Sequence, residues 1–378
     1  MSQPSGDAKI EGFSIPADRN DLAEILNFRK RKKISLYNLR GQWFGSGSKV
    51  SEKKFAAFRA IWPRLRSHKQ LFLRDSHIYG IDKFWKDAEN IANNFSDLDK
   101  FLDMVETDTR LKGLDVGDER YPSILATLRD LHELIGFDAP QTRQSRRMKR
   151  AAPDTQSRPS SSSRAIKKFK DAHNLLASRT SEETTERPSM EQDTPSPVPD
   201  VDFEAPDEAT VNAATVVFLR DFSSLVKDCS FEFVFERVVF TPTFGTCSFM
   251  THTDGAFRNR QIILAIIEVK KVLRCHDLKS IQMQETAEMV GLLMEQEGKK
   301  GFMNNDPVII SQDHNELYVT FASFHEGYLR YLKDQDAPIT ENTYLKLQSY
   351  GPFCTYRKDR MKSFASLVIA MTLAAKAA

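Results

Sequence analysis

Nine residues constrain this chain more than any others: Ile262-Ile263-Leu264-Ala265-Ile266-Ile267-Glu268-Val269-Lys270. An apolar run this dense predicts a strand buried on both faces. Successive side chains of a strand alternate, so Glu268 and Lys270, two apart, project from one face. A carboxylate and an ammonium at the end of a buried strand cost desolvation energy unless each finds a partner. Asp254 stands upstream of them in Thr251-His252-Thr253-Asp254-Gly255.

The flanking pattern predicts a domain over 207–378. A helix over about 207–226 leads into strand-like runs at 231–240, 244–250 and 261–270. A helix over about 278–296 follows, then strands at 307–310 and 317–321, then helices near 324–334 and 359–376. This order implies an α/β domain, a mixed central sheet flanked by helices.

Before it the chain changes character twice. Residues 1–18 read as a disordered tail. Residues 19–137 read as a small, mostly helical domain: Leu98, Phe101, Leu102 and Val105 recur at helical spacing, and Tyr121–Leu131 repeats the theme. Residues 138–206, rich in serine, threonine, proline and charge, bury too little apolar surface to offset the entropy of ordering, and read as a disordered linker.

Composition bounds the possibilities. The chain has 378 residues and is 40% hydrophobic, enough for real cores. Lysine plus arginine total 54 against 52 acids, so the net charge of +2 identifies no partner. Cys229, Cys247, Cys275 and Cys354 are widely spaced; they imply neither a disulfide framework nor a zinc finger, and free thiols in a reducing compartment are the expectation. The polar start is unlike a signal peptide, and the apolar run from Leu367 to Ala375 is too short to span a bilayer. A soluble intracellular protein without a membrane partner is expected. No Gly-rich phosphate loop argues for nucleotide hydrolysis, and no Cys–His arrangement argues for protease chemistry.

With these residues in view, the part from 207 to 378 resembles the PD-(D/E)XK, or restriction-endonuclease-like, nuclease superfamily, in a form similar to nuclease-like domains predicted in fungal proteins. The family core runs helix, three-stranded meander, helix, strand. Its signature is an Asp at the second strand and Glu-x-Lys on the third, here Asp254 and Glu268-Val269-Lys270, with a short turn containing Gly255 between them. Thr253 stands where the family has its eponymous proline. The resemblance implies that Asp254 and Glu268 hold Mg²⁺, with Mn²⁺ as an alternative, and that Lys270 orients water or stabilises charge on the phosphate. Glu208, on a helical stripe with Val211, Thr215, Phe218, Phe222 and Leu225, matches an acid of the first family helix. Gln284 matches a polar position of the helix after Glu-x-Lys. It lies four residues from Glu288, beside the stripe Met283, Ala287, Val290 and Met294. The implied catalytic set is Asp254, Glu268, Lys270, Glu208 and Gln284. The implied function is phosphodiester hydrolysis, with DNA favoured over RNA.

Each residue also has a plainer reading. Glu268 and Lys270 suit a strand emerging into solvent, and Asp254-Gly255 suits a turn. Glu208 suits the first turn of a helix, where an acid favours the dipole. Gln284 and Glu288 suit solvated helix positions. Phe231, Phe233 and Phe235 suit the core side of a half-buried strand. The matching functional alternative is a catalytically inactive nuclease fold that binds nucleic acid or protein, as an effector or selfish-element product would.

Basic clusters complete the sequence. Arg146–Arg150 and Lys167–Lys170 lie within the linker and resemble a nuclear-import signal, so a nuclear location is expected, with the cytoplasm otherwise. Arg29–Lys33 and eight Lys/Arg between Lys49 and Arg74 give the N-terminal part a positive character. Trp43, Phe44, Phe55, Phe58 and Trp62 are interleaved with these charges and suit that part's core. Nucleic acid and a protein partner explain this part equally well.

Overall fold

The apolar run around Ile266 forms a strand inside a mixed sheet. A computed structural model describes residues 10, 12–27, 34–39, 46–96, 98–99, 102–103, 208–245, 247–260, 262–296, 307–355 and 357–377. The expected helix at 121–131, the linker 138–206 with both its basic clusters, residues 29–33, Trp43 and Phe44 lie outside them.

In chain order the helices are α1 (Arg19–Asn27), α2 (Glu52–Phe58), α3 (His68–Gln70), α4 (Asp82–Asn93), α5 (Glu208–Ser224), α6 (Leu278–Glu295), α7 (Glu326–Lys333) and α8 (Lys358–Ala377). The strands begin with β1 (Ala60–Ile61), β2 (Glu232–Val234), β3 (Val239–Phe240), β4 (Thr243–Phe244), β5 (Cys247–Ser248) and β6 (Thr251–His252). They continue with β7 (Gly255–Arg258), β8 (Ile263–Lys270), β9 (Val308–Asp313), β10 (Glu316–Phe324) and β11 (Leu345–Cys354).

Among the described residues, seven strands form one sheet in the order β1-β11-β10-β9-β8-β7-β2. β2, β7 and β8 are an antiparallel meander, and β9 lies parallel to β8. The 18-residue α6 makes the crossover between those parallel strands. β8 is buried from Leu264 to Val269, and its alternation feeds two cores. Ala265, Ile267 and Val269 pack with α4, α5 and α8, while Ile266 packs with α2, α6 and α7. Each aliphatic side chain buried here contributes about 1.5–3 kcal/mol, the scale that lets the strand carry charge at its end. The result is an α/β fold with helices on both faces of the sheet.

The segment before the linker is part of this fold. β1 pairs in parallel with β11, Phe55, Phe58 and Trp62 belong to the α6 side of the core, and α4 packs on α8. The described parts of 1–139 and 205–378 fall in one compact unit. The expected separate helical domain is thus replaced by shared layers. The expected disordered tail is also ordered where it is described. Phe13 meets Phe55 edge-to-face at 5.8 Å, and the Trp62 N–H donates to the Pro16 carbonyl (2.8 Å).

Three strand expectations change. The run 231–240 is interrupted: β2 stays in the main sheet, while β3 turns away to pair with β6. Phe233 is buried, but Phe235, which the alternation placed in the core, is largely exposed in the interruption. The run 244–250 is broken into the small β4–β5 hairpin around Gly245. Gly255 opens a strand, where a turn was expected. A Cβ there would come within 2.7 Å of the Val234 carbonyl oxygen on β2, so close strand approach explains the glycine.

Candidate functional site

Parallel pairing of β8 and β9 brings their carboxyl ends together, with Glu268 opposite Ser311 and Lys270 opposite Asp313. Glu268 and Lys270 share the face of Ile266, the one that α6 covers. Lys270 Nζ is paired with Glu268 Oε1. From α6, Gln284 Nε2 donates to Glu268 Oε1 (2.5 Å) and to Glu288 Oε1 (2.8 Å). Glu268 is 2% exposed and Glu288 is fully buried. The second oxygen of each, Oε2, has no hydrogen-bond partner.

Asp254 joins from β7's leading edge. Its N–H donates to the Ile267 carbonyl (2.9 Å), and the Val269 N–H donates to its Oδ2 (3.0 Å). This pins the Asp254 carboxylate to the backbone between Glu268 and Lys270. Arg237, 68% exposed, reaches Oδ1 at 3.5 Å. The Asn212 side-chain amide donates to the Asp254 carbonyl (3.0 Å), which draws the first turns of α5 to the site. Glu208 is the first residue of α5, one turn before Asn212; its side chain lies outside the described part. Of the expected stripe below it, Val211, Thr215, Phe218 and Phe222 are buried, and Leu225 is half-buried against the same core.

The electrostatics are those of charge held in a dry place. Burial pushes the Glu268 carboxyl up to about 8; Lys270 pulls it down and the Asp254 charge pushes it up further. Burial, then the charge of Glu268, holds Glu288 well above the usual carboxylate range. Both directions follow from placing like charges where water cannot screen them.

A second polar cluster adjoins the first. Arg274, in the short turn after β8, pairs with Glu285 of α6 and Asp313 of β9. The Ser311 hydroxyl donates to Glu285 Oε1 (2.5 Å), and the Arg274 guanidinium lies 4.3 Å from the centre of the Tyr318 ring. Burial works against the charge on Arg274, while Glu285 and Asp313 raise its pKa above the usual value. Burial pushes Asp313 up to about 6 although Arg274 pulls it down. These directions oppose each other across one contact. The geometry favours the ionised pair, because a guanidinium stays charged and both acids point at it.

Sequence reasoning missed this triad and the burial of Glu288. A signal existed for Glu285, which lies four residues from both Ile281 and Met289 and so on an apolar line of α6. Glu288 likewise lies seven residues from Ile281 and four from Leu292. His252 and His276 take no part in the site.

The donor set suits a hard cation. Among the described residues no group of three or more His, Cys, Asp or Glu side chains is arranged to hold a metal ion. Mg²⁺ asks for less, because it binds through one or two carboxylates and keeps several waters. The unpartnered buried oxygens of Glu268 and Glu288 fit that requirement.

Comparison with protein families, characterised proteins and solved structures finds nothing that matches this chain. No helix among the described residues is long and apolar enough to cross a membrane.

Proposed function

We propose that this chain is a metal-dependent nuclease with a restriction-endonuclease-like core, hydrolysing phosphodiester bonds, of DNA in preference to RNA. The observation that carries this reading is the meeting of Asp254, Glu268 and Lys270, with Asp254 bonded to the backbone between the other two. The element order supports it: α5, the β2-β7-β8 meander, α6, then β9 parallel to β8.

In this reading Asp254 and Glu268 hold Mg²⁺ or Mn²⁺. A bound cation of this kind makes phosphorus more electrophilic and water more acidic. Lys270 Nζ offers N–H donors to the phosphate oxygens as negative charge builds on them. Gln284 holds the Glu268 carboxylate in place through Oε1. The Val269 N–H and the Asn212 amide fix Asp254, so neither acid reorganises during the reaction. Glu208 opens the helix that carries Asn212 and supplies a further acid at that end.

Incubating the purified protein with plasmid DNA and Mg²⁺ or Mn²⁺ tests this. Cleavage is expected, abolished by a chelator and reduced by about 100-fold or more in Asp254→Asn and in Lys270→Ala. Plasmid and oligonucleotides that stay intact under all these conditions overturn it. A second reading, a nuclease fold that binds nucleic acid without cutting, draws on one observation: Lys270 and Gln284 both occupy Glu268 Oε1. Oligonucleotide binding without cleavage would favour it.

The basic clusters 146–150 and 167–170 support a nuclear location. A fluorescent fusion should lose nuclear accumulation when both are changed to alanine.

A further inference from the structure

The buried acids at the ends of β8 and β9 outnumber the bases there. Glu268, Glu285, Glu288 and Asp313 are all buried, and each acts electrostatically on at least one of the others. Among the described residues, two basic groups answer these four acids, Lys270 and Arg274. Arg274 is committed to Glu285 and Asp313. Lys270 is paired with Glu268 and its charge also acts on Glu288, whose hydrogen bond comes from the neutral amide of Gln284. The Oε1 atoms of Glu268 and Glu288 are hydrogen-bonded to the same nitrogen, so their carboxyl heads are neighbours. Each keeps a buried, unpartnered Oε2. Asp254 differs, since both of its oxygens have protein partners.

We propose that Glu288 is a ligand of the divalent cation, shared with Glu268 between β8 and α6. This rests on reading the Glu268 end of β8 as a cation site, and it adds a ligand from the helix to the acids of the strands. Oxygen-only ligands select a hard ion such as Mg²⁺ or Mn²⁺ over a soft one. A divalent charge would match these two acids once both are ionised, and so would remove the cost of unpaired charge in the interior. Gln284 is the spacer: by donating to both Oε1 atoms it leaves the two Oε2 atoms for the ion. Glu288 thereby acquires a purpose that a solvated helix position would not have.

The test is Mn²⁺ binding to the full chain, read by the electron paramagnetic resonance of free Mn²⁺ and by calorimetry, in the parent and in Glu288→Gln. Glutamine keeps the shape and removes the charge. The expected result is an affinity lower by at least about tenfold, together with a cation-free variant that resists denaturant at least as well as the parent. Equal Mn²⁺ affinity in the two proteins overturns the proposal. If Glu288→Gln does not fold, Glu288→Asp carries the same comparison, with weaker binding expected because the carboxylate is retained but withdrawn. A parent that binds Mn²⁺ through Glu288 yet leaves DNA intact supports the ligand and overturns the nuclease reading. A parent that cuts DNA while Glu288→Gln keeps full affinity does the reverse. A parent that binds no Mn²⁺ overturns both.

Discussion

The Arg274 cluster and the Glu268 cluster share one end of the sheet, one helix and nearly the same depth, yet they are finished differently. In the first, a guanidinium spans two acids from two elements, a serine hydroxyl joins, and a tyrosine ring covers the cation. Both oxygens of Glu285 are engaged; Asp313 Oδ1 alone is left over. In the second, one lysine and one amide serve two fully buried carboxyls, and each retains an unpartnered oxygen. A buried network that is satisfied holds elements together, whereas one left incomplete costs stability and needs another reason to exist. The contrast suits Arg274 to holding β8, α6 and β9 in register, and it agrees with the cation site proposed for the Glu268 end.

The strongest way to break this contrast is to remove its cations. Arg274→Ala should cost about 3–5 kcal/mol in denaturant unfolding, because it strands two acids in the interior. Lys270→Ala should cost less, about 1–3 kcal/mol, since Lys270 is partly exposed and its direct ion pair is with Glu268. Equal losses would mean that both clusters are structural.

The next is pH. The folded protein keeps a proton on Glu268 up to about pH 8, whereas an unperturbed glutamate loses it near 4.5. Folded protein therefore binds more protons than unfolded chain within that window, and the stability of the cation-free protein falls as pH rises through it. The slope is at most about 1.4 kcal/mol per pH unit for each such group. Thermal unfolding from pH 5 to 8 should show the fall, shallower in Glu288→Gln, which removes a second raised carboxyl. A flat profile would mean that Glu268 is charged and fully compensated.

The smallest effect sharpens the comparison at the helix itself. The Trp62 indole N–H donates to Thr286 Oγ1 (2.9 Å), between the two clusters on α6. Trp62→Phe should cost about 1 kcal/mol and leave Mn²⁺ affinity unchanged, because it touches neither set of acids. Calorimetry with a denaturation series checks both halves.

How much of this was legible depended on whether the signal was local. β8 was legible because eight consecutive residues carry one message, and α5 and α6 because their apolar positions recur within a turn. β11 was not: Gln348, Ser349, Gly351 and Pro352 interrupt its apolar character, although Gln348 and Ser349 are buried. Its hydroxyl contact with β10, Thr320 to Ser349 at 2.7 Å, exists only after pairing. The acid Asp254 is legible, but β7 behind it resembles a turn in sequence, because glycine serves close packing as well as bending. Glu288 was obscured by a helix buried on nearly every side, where the usual polar face is missing and an inward acid looks like an outward one. The union of the two expected domains had no local trace, since it rests on contacts across hundreds of residues.

That union sets an order of events at the ribosome. Arg59, beside β1, donates to the carbonyl of Thr343, beside β11, across 284 positions of sequence. At usual elongation rates the first strand therefore waits roughly tens of seconds for its neighbour to be made. Until then Phe55, Phe58 and Trp62 have no complete core to enter, and the nascent chain must shelter them or be sheltered. The sheet is closed by its oldest strand last.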